Sequence, residues 1–235
     1  MRRPGKQRSS VGSRVKNEAI AIFGGTFDPV HYGHLRAATE VAEQLKVADF
    51  RLLPAGHPPH REGTWADASH RLAMLELALA PYPDLTVDER EVHRDGPSFM
   101  VDTLASIRAE ANDAPIILCL GQDAANGLNR WHHWRDLFEL AHLVVMTRPR
   151  SRPRYPEDLG EYFKQRRVQR TRDLMDSPAG LVRHLEVTQL AISSTDIRRQ
   201  LATGRDPRFL LPSAVLAYIR EHRLYGYHEI EAEKR

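Results

Sequence analysis

Two rhythms of apolar residues run along this chain. Ala19 to Phe23 is an unbroken apolar run rich in β-branched residues, the pattern of a strand buried on both faces. Gly24 and Gly25 end it. From Gly33 the spacing turns helical through Leu35, Ala38, Val41, Ala42 and Leu45. The same exchange repeats. Phe50 to Leu53 predicts a second strand, and a proline-rich loop follows from Pro54 to Arg61. Ser69 to Ala80 has helical spacing, Leu85 to Val87 reads as a short strand, and Gly96-Pro97-Ser98 starts another helix. Pro115 to Leu120 is the most apolar strand and runs into Gly121-Gln122-Asp123. Trp131 to Trp134 opens a predicted helix through Leu137 and Leu140, and His142 to Thr147 is the next strand. Leu181 to Val187 gives one more strand. Ser193 with Asp196 fits a capping box, which predicts a helix from Ser194. Leu211 to His222 reads as a closing helix.

Strands alternating with helices predict an α/β fold, a doubly wound, Rossmann-like parallel sheet with ligands at the C-terminal ends of its strands. The domain is read as residues 18–226. Residues 150–177, rich in Arg, Pro and charge, are read as an inserted loop and surface helix. Residues 227–235 are read as a polar tail, and residues 1–17 as a disordered basic one. Arg2, Arg3, Lys6, Arg8, Arg14 and Lys16 precede the first acid, Glu18, and without them acids outnumber bases although the whole chain carries +3. Arg and Ser without acid also suit a transit peptide, but no amphipathic period accompanies them. No aromatics are interleaved to stack bases, which argues against a nucleic-acid arm.

The single cysteine, Cys119, excludes an internal disulfide and suits a reducing, cytoplasmic setting. Nothing approaches the roughly 18 uninterrupted apolar residues of a membrane span, and the expectation is no membrane partner. A homo-oligomer stays open.

Candidate chemistry collects where strands meet helices. Unpartnered N–H groups at a helix N-terminus favour an anion such as phosphate. His31 and His34, three apart at such a start, can add donors to it. As a zinc site the pair would want a further protein ligand, and no Cys or carboxylate has the matching spacing, so no protein metal ligand is assigned. Ser194 and Thr195, with Arg198 one turn in, form a second anion site or an ordinary capped helix. Trp131 suits either a core or stacking on a flat ring.

Taken whole, Gly-Gly-Thr-Phe-Asp-Pro-Val-His-Tyr-Gly-His at 24–34 resembles the signature of the α/β nucleotidyltransferases of His-x-Gly-His type. Pro-Pro-His-Arg at 58–61, His70-Arg71, Pro97-Ser98, Gly-Gln-Asp at 121–123, Trp131 and Ile-Ser-Ser-Thr-Asp-Ile-Arg at 192–198 follow in the order of bacterial nicotinate-nucleotide adenylyltransferases. That resemblance implies adenylyl transfer from ATP to nicotinate mononucleotide, giving deamido-NAD and pyrophosphate in NAD synthesis, with Mg2+ as cofactor. It implies that His31, His34 and Arg198 are catalytic. ATP would lie on Gly24, Gly25, Thr26, Phe27, His31, His34, Ser194, Thr195 and Arg198. Nicotinate mononucleotide would lie on His60, Arg61, Met100, Asp123, Trp131 and His132, with the backbone N–H groups of Met100 and His132 on its carboxylate. The chain departs from the family at Phe99-Met100, where Tyr-Thr is usual, and at Arg150, where glycine is usual. Rivals from the same fold act on phosphopantetheine, glycerol phosphate or the nicotinamide mononucleotide. A rival of another class is a silent nucleotide sensor.

Overall fold

A computed structural model describes residues 19–58, 64–149 and 153–228. Six parallel strands form one sheet: β1 (Ile20–Gly25), β2 (Asp49–Pro54), β3 (Thr86–Val87), β4 (Ile116–Gly121), β5 (His142–Thr147) and β6 (Val182–Glu186), in the order β3-β2-β1-β4-β5-β6. The strand order reverses between β1 and β4. That crevice is where open α/β sheets bind ligands.

The period of two along each strand sorts side chains between two cores. Ala21, Phe23, Ile117, Cys119, Val144 and Met146 face one. Ile20, Ile22, Ile116, Leu118, Leu143 and Val145 face the other. Helices α1 (Tyr32–Leu45), α2 (Ala68–Leu79), α7 (Ser194–Ala202) and α8 (Ser213–Glu221) bury Leu35, Met74, Ile197 and Val215 in the first core. Helices α3 (Met100–Ala111), α5 (Leu137–Leu140) and α6 (Glu157–Arg166) bury Leu104, Phe138 and Phe163 in the second. The short α4 (Gln122–Asn126) follows β4 directly.

Three expectations need correction. The helix expected to open at Trp131 does not. A 3-10 turn over Leu128–Arg130 ends at Trp131, His133 takes a left-handed φ of 48°, and helix forms only over Leu137–Leu140. Helical apolar spacing could not register that break. Helix α3 starts at Met100 and not at Gly96-Pro97-Ser98, because those residues form the turn that Ser98 ties to His57. The stretch read as an inserted loop and surface helix carries the largely exposed α6, but its Leu159 and Phe163 are buried. Parallel pairing of β5 with β6 demands a crossover, and α6 supplies it.

Among the described residues no helix is long and apolar enough to cross a membrane.

Candidate active site

The end of β1 builds the first wall. After Gly25 the chain turns through Phe27, at a φ of 49°, and Asp28-Pro29 before α1 begins. His31 is the N-cap of α1 and His34 lies in its first turn. Their rings stack with centroids 3.7 Å apart, and Phe27 meets His34 edge-on at 5.1 Å. Gly33 lets the pair form, since a Cβ there would stand 3.0 Å from the His31 ring. His31 is buried, and burial pulls its pKa from the usual 6.5 to about 4. Its imidazole is therefore neutral at neutral pH. Its Nδ1 is buried with no hydrogen-bond partner among the described residues, a condition that costs about 1–3 kcal/mol and that a phosphate oxygen would relieve.

The second wall is the start of α7. Ser193 caps it, its oxygen accepting from the Asp196 N–H at 3.1 Å while its own hydroxyl donates to the Asp196 carboxylate at 3.0 Å. Of the expected capping box only the Ser193 half forms, because the Asp196 carboxylate takes the Ser193 hydroxyl in place of the Ser193 backbone N–H. Ser194 donates to the Pro29 carbonyl at 3.0 Å, which docks α7 onto the β1 turn. Arg198 donates to the Asp28 carbonyl at 2.6 Å and to Thr195 Oγ1 at 3.3 Å, and its guanidinium lies 5.5 Å from the centre of the Trp65 ring.

These walls border a cavity of about 440 Å³ lined by Thr26, Phe27, His31, His34, Thr195 and Arg198, with Met146, Arg148, Gln189 and Leu190 also in its lining. A second cavity of about 530 Å³ is lined by Gly24, Gly25, Ser98, Phe99, Met100, Trp131 and His132. Phe23, Thr26, His34, Gly121 and Asp123 line both. The two cavities thus meet at His34, across the crevice between β1 and β4.

Expected site residues fall as follows. Thr26, Phe27, His31, His34, Ser194, Thr195 and Arg198 line the first cavity, whereas Gly24 and Gly25, expected on ATP, line only the second. Met100, Asp123, Trp131 and His132 line the second. Trp134, not Trp131, is the core tryptophan of its pair, being 7% exposed. Met100 opens α3, where a backbone N–H has no partner inside the helix. His132 does not stand at a helix start. It lies in the turn after the 3-10 segment, its ring 4.3 Å from Phe99. His60 and Arg61 lie outside the described residues.

Sequence reasoning missed the frame behind these residues. Asp28, to which the sequence assigns no role of its own, is buried. Its carboxylate accepts from the Trp65 N–H at 2.9 Å, the Ala66 N–H at 3.2 Å and the Tyr225 hydroxyl at 2.8 Å. Arg71 is fully buried and its guanidinium donates to the carbonyls of Ala66, Thr26 and Gly56. One buried cation thereby ties together the loops after β1 and β2. The signal available was His70-Arg71, which was noted without a role.

The cytidylyltransferase-like family model matches residues 22–200. A protein of Methylococcus capsulatus named "probable nicotinate-nucleotide adenylyltransferase" is 52% identical over 88% of this chain and 99% of its own. One of Acidithiobacillus ferrooxidans with the same name is 47% identical over 89% of this chain and 96% of its own. The structure of the Plasmodium falciparum nicotinic acid mononucleotide adenylyltransferase, solved with NaAD, shares the fold with a TM-score of 0.70 at 15% identity, covering 89% of this chain and 98% of that one. The relatives span almost the whole described domain, and the signature on which the cavities converge lies inside the matched region. This chain therefore belongs to the nicotinate-nucleotide adenylyltransferases, within the cytidylyltransferase-like family.

Proposed function

We propose that the two cavities hold the two substrates of adenylyl transfer, ATP in the first and nicotinate mononucleotide in the second, and that the reaction occurs where they meet at His34. The observation that carries this reading is that shared wall: His34, Thr26 and Asp123 line both cavities. A transfer between two bound molecules needs such a junction.

The chemistry asks little of a general base. The mononucleotide's phosphate is already an anion. Its oxygen attacks the α-phosphate of ATP in line, the bond to the β-phosphate bridging oxygen breaks, and pyrophosphate departs with that electron pair. Catalysis is then positioning and stabilisation of charge on the phosphoryl oxygens. His31 and His34 donate to ATP phosphates and to the developing charge at the α-phosphate. Ser194, Thr195 and Arg198, with the free N–H groups at the α7 start, hold the β- and γ-phosphates. Arg198 is fixed before ATP arrives by its bonds to Asp28 and Thr195. Gly24 to Phe27 present main chain to the nucleotide.

Asp123 receives a ribose and Trp131 stacks on the pyridine ring. The backbone N–H groups of Met100 and His132 receive the nicotinate carboxylate. Met100 where the family has threonine leaves a main-chain donor in place. His60 and Arg61 complete the set toward the mononucleotide's phosphate. Mg2+ would be held chiefly by the ATP phosphates, with no protein ligand assigned, and would supply neutralisation of charge on the departing pyrophosphate. The setting that fits these substrates and a single buried thiol is the cytoplasm.

Pyrophosphate release from MgATP with each of three acceptors tests the reading. Nicotinate mononucleotide should support turnover with kcat/KM at least about a hundredfold above the amide, because a carboxamide turns an NH2 toward a donor and leaves buried groups unsatisfied at roughly 1–3 kcal/mol each. Phosphopantetheine should give none. Equal use of acid and amide would defeat the carboxylate pocket, and turnover of phosphopantetheine alone would defeat the substrate assignment.

A further inference from the structure

Glu91 stands in none of the motifs discussed so far, yet it lines the second cavity. It is 2% exposed. The Thr103 hydroxyl donates to its Oε1 at 2.7 Å, and Arg94 donates to that same Thr103 oxygen at 2.9 Å. The Ser98 hydroxyl and the Gly56 main chain lie near the carboxylate and favour its charged form. Ser98 in turn accepts from the His57 N–H at 3.0 Å, and its own N–H donates to the His57 carbonyl at 2.9 Å. Contact with the β2 loop is close enough that a Cβ on Gly56 would stand 2.0 Å from the Glu91 carbonyl oxygen.

Glu91 therefore sits where three segments meet: its carboxyl accepts from Thr103 in the first turn of α3, its main chain abuts the loop after β2, and the turn at Ser98 lies beside it. We propose that Glu91 is a positioning residue for the pyridine mononucleotide, its carboxyl fixing the start of α3, and so the Met100 N–H, against the second cavity. The inference rests on the substrate assignment above.

Two physical points support it. First, Phe99 and Met100 lie between Ser98, which sits beside Glu91 and is tied to His57, and Thr103, which bonds the Glu91 carboxyl. The Phe99 carbonyl accepts from the N–H groups of Asp102 and Thr103, so a shift of Thr103 displaces the helix start itself. Second, a buried carboxylate beside a pocket for an anion would repel it unless its charge were neutralised locally. The Thr103 hydroxyl and the nearby Arg94 do this. Burial pushes the Glu91 carboxyl above its usual range, while Thr103, Ser98 and Arg94 act in the opposite sense.

The test uses full-length protein, with Glu91→Gln replacing one acceptor oxygen by an NH2 that faces a donor, and Thr103→Val removing one hydroxyl at constant shape. Steady-state kinetics with both substrates, ATP binding by calorimetry and thermal melting are read together. The KM for nicotinate mononucleotide should rise about tenfold or more in Glu91→Gln, and less in Thr103→Val. The ATP Kd should stay within twofold, because Glu91 does not line the first cavity. Preference for the acid over the amide should fall in both variants. Equal loss toward both substrates, or an unmoved mononucleotide KM, would overturn the inference by making Glu91 a scaffold residue only. Should Glu91→Gln fail to fold, Thr103→Val decides by the same split. A wild-type enzyme inert toward nicotinate mononucleotide would defeat the substrate assignment and this inference with it. An active wild type with unmoved variants would defeat Glu91 alone.

Discussion

Tyr225 and Asp28 are 197 positions apart and joined by one buried bond of 2.8 Å. Tyr225→Phe removes only the hydroxyl. A hydrogen bond to a charged group contributes about 1.5–3 kcal/mol net, and the Asp28 oxygen keeps its bond from the Ala66 N–H, so the loss belongs near the low end, about 2 kcal/mol. For a chain of this size each kcal/mol lowers Tm by roughly 2–4 °C, which gives a fall of about 4–8 °C. The bond also holds Tyr225 at a φ of 59°, a left-handed conformation that L side chains adopt at a cost.

Asp28→Asn should cost more, about 3–5 kcal/mol, because it sets an NH2 against an N–H or hydroxyl donor and removes the negative charge that offsets the burial of Arg71. The Asp28 backbone carbonyl also holds Arg198, so this variant should raise the ATP KM as well. Urea and thermal unfolding of both single variants and the double variant form the assay. The double loss should be smaller than the sum, as residues in contact require. A melting point for Asp28→Asn within 1 °C of wild type, or strict additivity, would refute the reasoning.

Acid should destabilise the fold early. Burial lowers His31 and His184 to about 4 and lowers His142 as well. The folded state thus binds fewer protons than the unfolded chain below 6.5, so their stabilisation is full above 6.5 and is lost as pH falls toward 4. Melting curves at pH 7.5, 6 and 5 should drop steadily, and His184→Phe should flatten the slope; a flat profile for wild type contradicts the assignment. ATP binding should take up protons, because an anion beside His31 favours its charged form; titrations near pH 6 in two buffers of different ionisation enthalpy read this, and identical heats would exclude it. Trp65→Ala should raise the ATP KM a few-fold and leave the mononucleotide KM alone, since the exposed indole meets the Arg198 guanidinium; an unchanged ATP KM removes Trp65 from the site.

What could be read in the sequence was local. The strands were legible because a sheet buried on both faces writes itself as continuous apolar runs, as in β4 and β5. The residues proposed for ATP's phosphates could be grouped from sequence because His31 and His34, or Ser194, Thr195 and Arg198, share a single helix turn and need no tertiary knowledge to be placed together. The frame was not. Tyr225 to Asp28, Arg71 to Thr26 and Glu91 to Thr103 are contacts between turns and helices that no periodicity links. The Trp131 stretch misled because a left-handed residue, His133, interrupts apolar spacing that otherwise suits a helix. Helix α6 was undervalued because its two buried residues, Leu159 and Phe163, sit among many charges, and only the parallel pairing of β5 with β6 reveals what they cover.

The most direct test of the account is single-turnover adenylyl transfer by His34→Ala beside wild type, each saturated with MgATP and nicotinate mononucleotide. His34 stands on the wall between the cavities, so the account predicts a rate roughly 100- to 1,000-fold lower, the usual cost of losing one donor to a developing charge, with Tm little changed. A variant that folds and transfers within threefold of wild type would contradict it.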